Sequence, residues 1–356
     1  MIEKLIIVGN GFDLSRGLNT SYNSFFAWLD TRNGVSIMND TLQGFKAENF
    51  NAILQKDNII VDNFWYTYMK LLELDDPEWN NVESVMLNAL NPISTNFENM
   101  IMKNQPFQNI ESYMKKWTPS EKKFSLLVSN LYLQNKQFDI YDYLFQELRK
   151  FENSFKEYLD SDTFRSSEQQ FIRVGQPSWL DGTETKNISV LNFNYTYFLN
   201  DIPETQIRNI HGVDTSDPTS QFIFGIDSTK ISPSQEIYRF TKASRIMMNS
   251  YDTEYNSILS HTITNISFIG HSLAEADYSY FQSIFDYLSI YDSDVTLSFY
   301  YTKYHIQHSE EMLKYQNAIQ ELINRYGRTL DNQDHGDNLY TKLILENRIK
   351  IIKSGL

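Results

Sequence analysis

The sequence predicts an α/β fold: a parallel sheet whose first strand lies at the start of the chain, with a large helical insertion after that strand. Three observations carry this. Leu5-Ile6-Ile7-Val8 is a continuous apolar run ending in glycine, the pattern of a strand buried on both faces. From about Thr31 to about Leu180 helical spacing dominates. Short apolar runs ending in Gly, Asn or His then resume, separated by helical stretches, as in a Rossmann-like sheet covered on both faces. Residues 1–30 plus 181–356 are thus expected to form the α/β domain, and 31–180 the helical insertion.

Taken in order, a helix rich in aromatics is expected from Ser21 through Leu29. Within the insertion, Phe64, Tyr68, Leu71 and Leu72 fall on one helix face. Tyr143, Phe145, Leu148 and Phe155 fall on another, with breaks near Pro77, Pro92, Pro106 and Pro119. Further strands are expected at Ile188–Phe193, Ile207–His211, Phe222–Gly225, Ile266–Gly270, Val295–Tyr301 and Ile349–Ile352. The polar stretch Asp331–Asp337, with His335, reads as an exposed turn.

Composition narrows the classes. With 41% hydrophobic and 15% aromatic residues, the 356-residue chain can bury a sizeable core. It has no Cys, which excludes a disulfide scaffold, a Cys-ligated zinc site and a Cys nucleophile. With no leader pattern ahead of Leu5, this points to a reducing cytoplasm. No window approaches the apolar length of a membrane span. A formal net charge of -14 argues against general nucleic-acid binding, which needs a Lys/Arg footprint.

Four motifs carry chemistry. In Val8-Gly9-Asn10-Gly11-Phe12-Asp13, with Gly17 further on, a strand ends in Gly-x-Gly before a helix. Such a turn lets backbone N–H groups approach a pyrophosphate, with the helix dipole assisting; a tight turn without ligand reads the same. Leu14 stands where the dinucleotide fingerprint has its third glycine, and Asp30 follows a helix and not a second strand, which disfavours hydride transfer. In Leu191-Asn192-Phe193-Asn194-Tyr195-Thr196 an amide at a strand end can bind ribose hydroxyls, orient a water, or simply cap the turn. In Ile210-His211-Gly212 the His suits proton transfer near neutral pH. Phe268-Ile269-Gly270-His271-Ser272-Leu273-Ala274 reads either as a second phosphate- or ribose-contacting turn, or as a nucleophile elbow with Ala274 in place of the last glycine. The elbow would draw on Asp292, Asp294, His305, His308 or His335 downstream. His305 and His308 have metal-ligand spacing but no accompanying carboxylate motif, so no metal is expected. Tyr238-Arg239-Phe240-Thr241-Lys242 could bring cations to a phosphate or form an amphipathic surface.

Together these residues resemble the AbiH family of bacteriophage abortive infection. The carriers are Ile7–Leu14 with Gly17-Leu18 and Thr20-Ser21-Tyr22, Trp79-Asn80-Asn81-Val82-Glu83, Asn192–Thr196, Ile210-His211-Gly212, and Gly270–Leu273 with Asp277. Their order is also similar to a remote sirtuin pattern. That resemblance implies a sirtuin-like sheet holding NAD, with Asn194 on the ribose side and His211 as the catalytic histidine. It implies cofactor contacts from Gly9, Asn10, Gly11, Phe12, Asp13, Thr196, Gly270, His271 and Ser272. The activity implied is metal-free loss of nicotinamide from NAD, leaving ADP-ribose. The chain departs from the pattern at Thr196, where many relatives carry Asp, at Asn10 and at His271. Without Cys it lacks the zinc module of protein deacetylases. A non-catalytic sensor of NAD or ADP-ribose, and a serine esterase or hydrolase using Ser272, stand as alternatives. A phage-derived trigger and a homo-oligomer fit the resemblance.

Overall fold

Leu5, Ile6, Ile7 and Val8 are buried on both faces, because the strand they form is hydrogen-bonded to a parallel neighbour on either side. The computed structural model describes residues 2–33, 59–73, 82–90, 118–134, 139–172, 184–196, 202–212, 221–229, 231–249, 257–301 and 309–353. From the N-terminus the elements are β1 (Lys4–Val8), α1 (Asn10–Ser15), α2 (Tyr22–Asn33), α3 (Phe64–Leu72), α4 (Val82–Leu90), α5 (Pro119–Gln134), α6 (Ile140–Leu159) and α7 (Asp162–Ile172). Then come β2 (Ile188–Asn192), β3 (Ile207–Asn209), α8 (Lys242–Asn249), β4 (Asn265–Ile269), α9 (Tyr278–Tyr287), β5 (Thr296–Tyr301), α10 (Ser309–Gly327), α11 (Gln333–Leu345) and β6 (Ile349–Lys353). The chain divides into two compact units, Met1–Ser21, Leu159–Ile223 and Ile246–Leu356 against Tyr22–Tyr158 and Phe224–Arg245.

The first unit is a parallel six-stranded sheet in the order β3-β2-β1-β4-β5-β6. This is the doubly wound Rossmann order, whose direction of winding reverses beside β1, between β1 and β4. Leu5 and Ile7 of β1, Phe268 of β4 and Leu297 and Phe299 of β5 face a core completed by Phe281 and Phe285 of α9, Ile319 and Ile323 of α10, and Leu339 and Leu343 of α11. Phe268 and Phe299 stack at 4.6 Å. Burying each of these side chains stabilises by about 1.5–3 kcal/mol. Arg348 fixes the entry to β6 by donating to the carbonyls of Ile290 and Val295.

The second unit is helical. Asn63 caps α3 by accepting from Trp65 N and Tyr66 N, and Phe64 N donates to Glu147 of α6. α3 is buried all round except at Lys70, as expected of a helix apolar on every face. The buried seam of α6 is Leu144, Leu148, Phe151, Phe155 and Tyr158, at helical spacing, with Tyr143 and Phe145 on its flank. Phe25 of α2 meets Phe151 and Phe155 edge-on, and both meet Phe224. Two cations of α8 are buried against glutamates, Lys242 on Glu83 of α4 and Arg245 on Glu152 of α6, each at 2.7 Å. Glu152 also accepts from Phe224 N.

Several local expectations change. Phe222–Gly225 joins no sheet among the described residues: Ile223 N donates to the His211 carbonyl, and an isolated bridge follows at Ile226 with Thr241. Asp331–Asp337 is largely exposed, as expected, but is a helix start and no turn, because Asn332 accepts from His335 N at the head of α11. Pro119 opens α5, where its missing N–H is harmless. In β5, Leu297, Ser298 and Phe299 are buried in succession, as in a strand covered on both faces. Pro77, Pro92, Pro106, Trp79–Asn81, His305 and His308 lie outside the described residues. No helix among the described residues is long and apolar enough to cross a membrane.

At the winding reversal, the turn after β1 closes on the turn after β4. Gly9 N donates to Ile269 O at 2.9 Å and Gly11 N to Gly270 O at 2.7 Å. A Cβ at Gly9 would lie 2.6 Å from His271 Cα, and one at Gly11 2.7 Å from the Gly270 carbonyl oxygen. Gly270 is at φ +61, and its own Cβ would stand 2.1 Å from Phe12 N. Gly270→Ala therefore meets both left-handed strain and a backbone clash. It is expected to destabilise the protein by about 3 kcal/mol in urea unfolding; a loss no greater than that of an ordinary surface substitution would refute the interlock.

Candidate functional site

Gly9, Asn10 and Gly11 follow β1, Asn194 and Thr196 follow β2, His211 follows β3, and Gly270, His271 and Ser272 follow β4. These four strands are neighbours and parallel, so the residues share the carboxyl edge of the sheet, where open α/β sheets take ligands.

The glycine turn is built for close packing. The amides of Gly9, Gly11 and Phe12 donate to Ile269 O, Gly270 O and Gly9 O, so they are committed within the chain and form no open cradle. The Asn10 side chain is tied to Thr20, accepting from its hydroxyl at 2.5 Å and donating to its carbonyl. Gly17, at φ +87, ends the short helix α1, with Leu18 N bonded back to Asp13 O.

α1 delivers Asp13, which is 1% exposed, to the turn after β2. One carboxylate oxygen accepts from Asn194 Nδ2 at 3.0 Å and the other from the Thr196 hydroxyl at 2.5 Å. Burial pushes the Asp13 carboxyl up to about 7, against the opposing pull of the Thr196 hydrogen bond and the Arg16 guanidinium. Arg16 is itself buried and lies over the Phe12 ring.

The other end of the Asn194 amide is different. Asn194 is 3% exposed, and its Oδ1 has no hydrogen-bond partner among the described residues. An unmet buried acceptor costs about 1–3 kcal/mol, which a hydroxyl or a water can offset. Asn192 holds the turn: its Oδ1 accepts from Asn194 N, and its Nδ2 donates to Thr196 O and to Asn209 Oδ1. Asn192 is thus a structural residue of the site.

His211 is buried, and its Nδ1 lies 2.7 Å from the Ile223 carbonyl. A carbonyl only accepts, so Nδ1 carries a proton and Nε2 is the nitrogen that a general base would use when the ring is neutral. Phe193 stands edge-on between His211 and His271, at 6.2 and 4.7 Å. His271 Nδ1 accepts from Leu273 N, which leaves Nε2 as the donor, 3.6 Å from Asp277 Oδ2. A ring nitrogen of His211 also lies within 4.8 Å of an Asp277 carboxylate oxygen. Asp277 therefore sits beside two imidazoles. Ser272 is exposed, with the positive-φ residues Gly270 and Leu273 on either side of it.

Asp13 as a side-chain anchor, Asn192 as the turn's lock, Phe193 as a spacer and Arg16 as a buried countercharge had no individual signal in the sequence. A buried acid one turn into a helix is visible only once its partners 181 and 183 positions away are in place. The cations of Tyr238–Lys242 are engaged within the second unit, Arg239 by Asp142 and Glu236 and Lys242 by Glu83.

A family model described as Bacteriophage abortive infection AbiH matches residues 5–301, a span that ends on the last residue of β5. No curated protein and no solved structure matches the chain.

Asp13 makes stability depend on pH. Its carboxyl titrates near 4 when unfolded and at about 7 when folded, so over this range the native state binds more protons. Stability from this residue is fully present below about pH 4 and is lost as pH rises through about 7. Asp13→Asn should gain stability relative to the parent as pH rises from about 5 to about 8, read from urea midpoints. Parallel pH profiles for the two proteins would show that Asp13 does not hold this proton.

Proposed function

The chain belongs to the AbiH family of bacteriophage abortive infection, and on that premise we propose that it acts in phage defence by cleaving NAD to nicotinamide and ADP-ribose. The observation that carries this reading is the buried, unmatched Oδ1 of Asn194, at the same sheet edge as a histidine whose Nδ1 is held by a backbone carbonyl. A sugar hydroxyl or an attacking water would satisfy the amide, and the imidazole would take the proton.

The chemistry balances without a metal. The bond from ribose C1′ to the pyridinium nitrogen breaks, and its electron pair leaves with neutral nicotinamide. The oxygen of a water then bonds to C1′ of the oxocarbenium-like ribosyl species. His211 Nε2 takes the proton released by that water and passes it to solvent. Asn194 Oδ1 holds a ribose hydroxyl or the water, and as a fixed dipole needs no reorganisation when charge develops. Phe193 keeps the imidazole of His211 in place by edge-on contact. The pyrophosphate is not assigned to the amides of Gly9, Gly11 and Phe12, since these already have acceptors.

The serine reading is weaker on two observations. The positive-φ positions flank Ser272 and do not fall on it, whereas a nucleophile elbow strains the nucleophile itself. The adjacent His271 is turned toward Asp277. A fluorophosphonate probe is expected to leave Ser272 unlabelled; labelling that Ser272→Ala removes would favour the hydrolase.

The deciding assay is nicotinamide release by the purified protein, with and without a phage-infected cell extract as trigger. Asn194→Ala and His211→Ala should each lower turnover by about a hundredfold or more while circular dichroism stays native. Near wild-type turnover in both variants would end the mechanism. NAD binding without any nicotinamide release in either condition would identify a sensor.

A further inference from the structure

We propose that Asp13 is a positioning residue that locks the Asn194 side chain with its carbonyl oxygen presented to the ligand, so that this end of the site accepts O–H donors, the hydroxyls of a ribose, and rejects phosphate and carboxylate oxygens. The proposal rests on the NAD reading for its ligand and on geometry alone for the role of Asp13.

A primary amide of this shape can be turned over with little change in packing, so something must choose its orientation. Asp13 does so. Its Oδ1, 3.0 Å from the amide, is an acceptor whether the carboxyl is ionised or neutral, because a proton on Oδ2 is taken up by the Thr196 hydroxyl at 2.5 Å. Only Nδ2 of Asn194 can face Asp13 in either state, and Oδ1 must face the other way. The backbone is fixed separately, by Asn194 N donating to Asn192 Oδ1 at 3.0 Å. Main chain and side chain are thus held by two different residues, and what remains is a buried acceptor with no partner among the described residues. A bare acceptor attracts a hydroxyl or a water. It repels the acceptor oxygens of a phosphate or a carboxylate, whose own lone pairs would stay unmet. The charge of Asp13 itself never reaches the ligand: it stays behind the amide, with Arg16 as the countercharge.

The test uses the full chain and carba-NAD, an analogue that keeps the ribose hydroxyls and cannot lose nicotinamide. Calorimetric titration should show Asn194→Ala and Asp13→Ala each weakening binding by about tenfold. The double variant should bind within about twofold of Asn194→Ala alone, because Asp13 acts only through Asn194. Asp13→Ala weakening binding as much in the Asn194→Ala background as in the parent would overturn the proposal. A second measurement needs neither ligand nor Asp13→Ala. In protein labelled with 15N-asparagine, the side-chain signal of Asn194 is identified by its loss in Asn194→Ala. At about pH 8.5, where the carboxyl is ionised, Asp13→Asn should move that signal upfield, as a charged acceptor becomes neutral. An unmoved signal would overturn the role of Asp13. A moved signal in a parent protein that does not bind carba-NAD would support the lock and overturn the NAD reading.

Discussion

Gly11 N donates to Gly270 O at 2.7 Å, and neither residue has room for a Cβ. This backbone contact, made where the sheet reverses its winding, sets the rest of the first unit. It brings the turns after β1 and β4 closer than any pair of side-chain-bearing residues could come. α1 leaves β1 at once from this closed turn, and its first turn therefore carries Asp13 toward β2, the neighbour on β1's other side. A looser turn would swing the helix away and break the hydrogen bonds of Asp13 to Asn194 and Thr196. The glycines act through packing, and their effect on the candidate site is indirect.

Charge is used sparingly at that edge. Asp13 is satisfied by two neutral donors, and its raised pKa follows from giving up water for them. Asp277 lies beside His271 and His211. The amide of Asn194 is neutral, and its Oδ1 is an acceptor left without a hydrogen-bond partner among the described residues.

The helical unit follows a different logic. Aromatic rings of α2 and α6 and Phe224 make its centre, and two buried ion pairs bring α8 to it. Removing one partner from such a pair strands a charge away from water, at a cost of about 3–5 kcal/mol. Lys242–Glu83 and Arg245–Glu152 therefore fix which part of the chain returns to this unit. Lys242 gives Glu83 a structural use within the unit.

Much of this was written in the sequence. The largely apolar runs at Leu5–Val8, Ile188–Phe193, Ile266–Gly270 and Val295–Tyr301 named the central strands, because a strand buried on both faces is mostly apolar, with Ser189, Ser267 and Ser298 as its small buried exceptions. Residues ending those runs were candidates for one edge, because parallel strands put all their carboxyl ends together. The motifs from Gly9 to Asp277 were enough to indicate the AbiH family. Local reading failed at Phe222–Gly225, which has the composition of a strand but joins no sheet among the described residues, and at Asn332, whose cap on His335 N three residues on makes a helix start of a polar stretch. Nothing in the sequence told a phosphate-cradling glycine from a packing one, since that depends on whether Gly270 fills the space. That residues 224–245 belong with the helical unit, and that Asp13 accepts from the buried side-chain amide of Asn194, were likewise decided only in three dimensions. Periodicity and strand endings are properties of neighbouring residues, whereas a hydrogen bond across 181 positions exists only after the chain has folded.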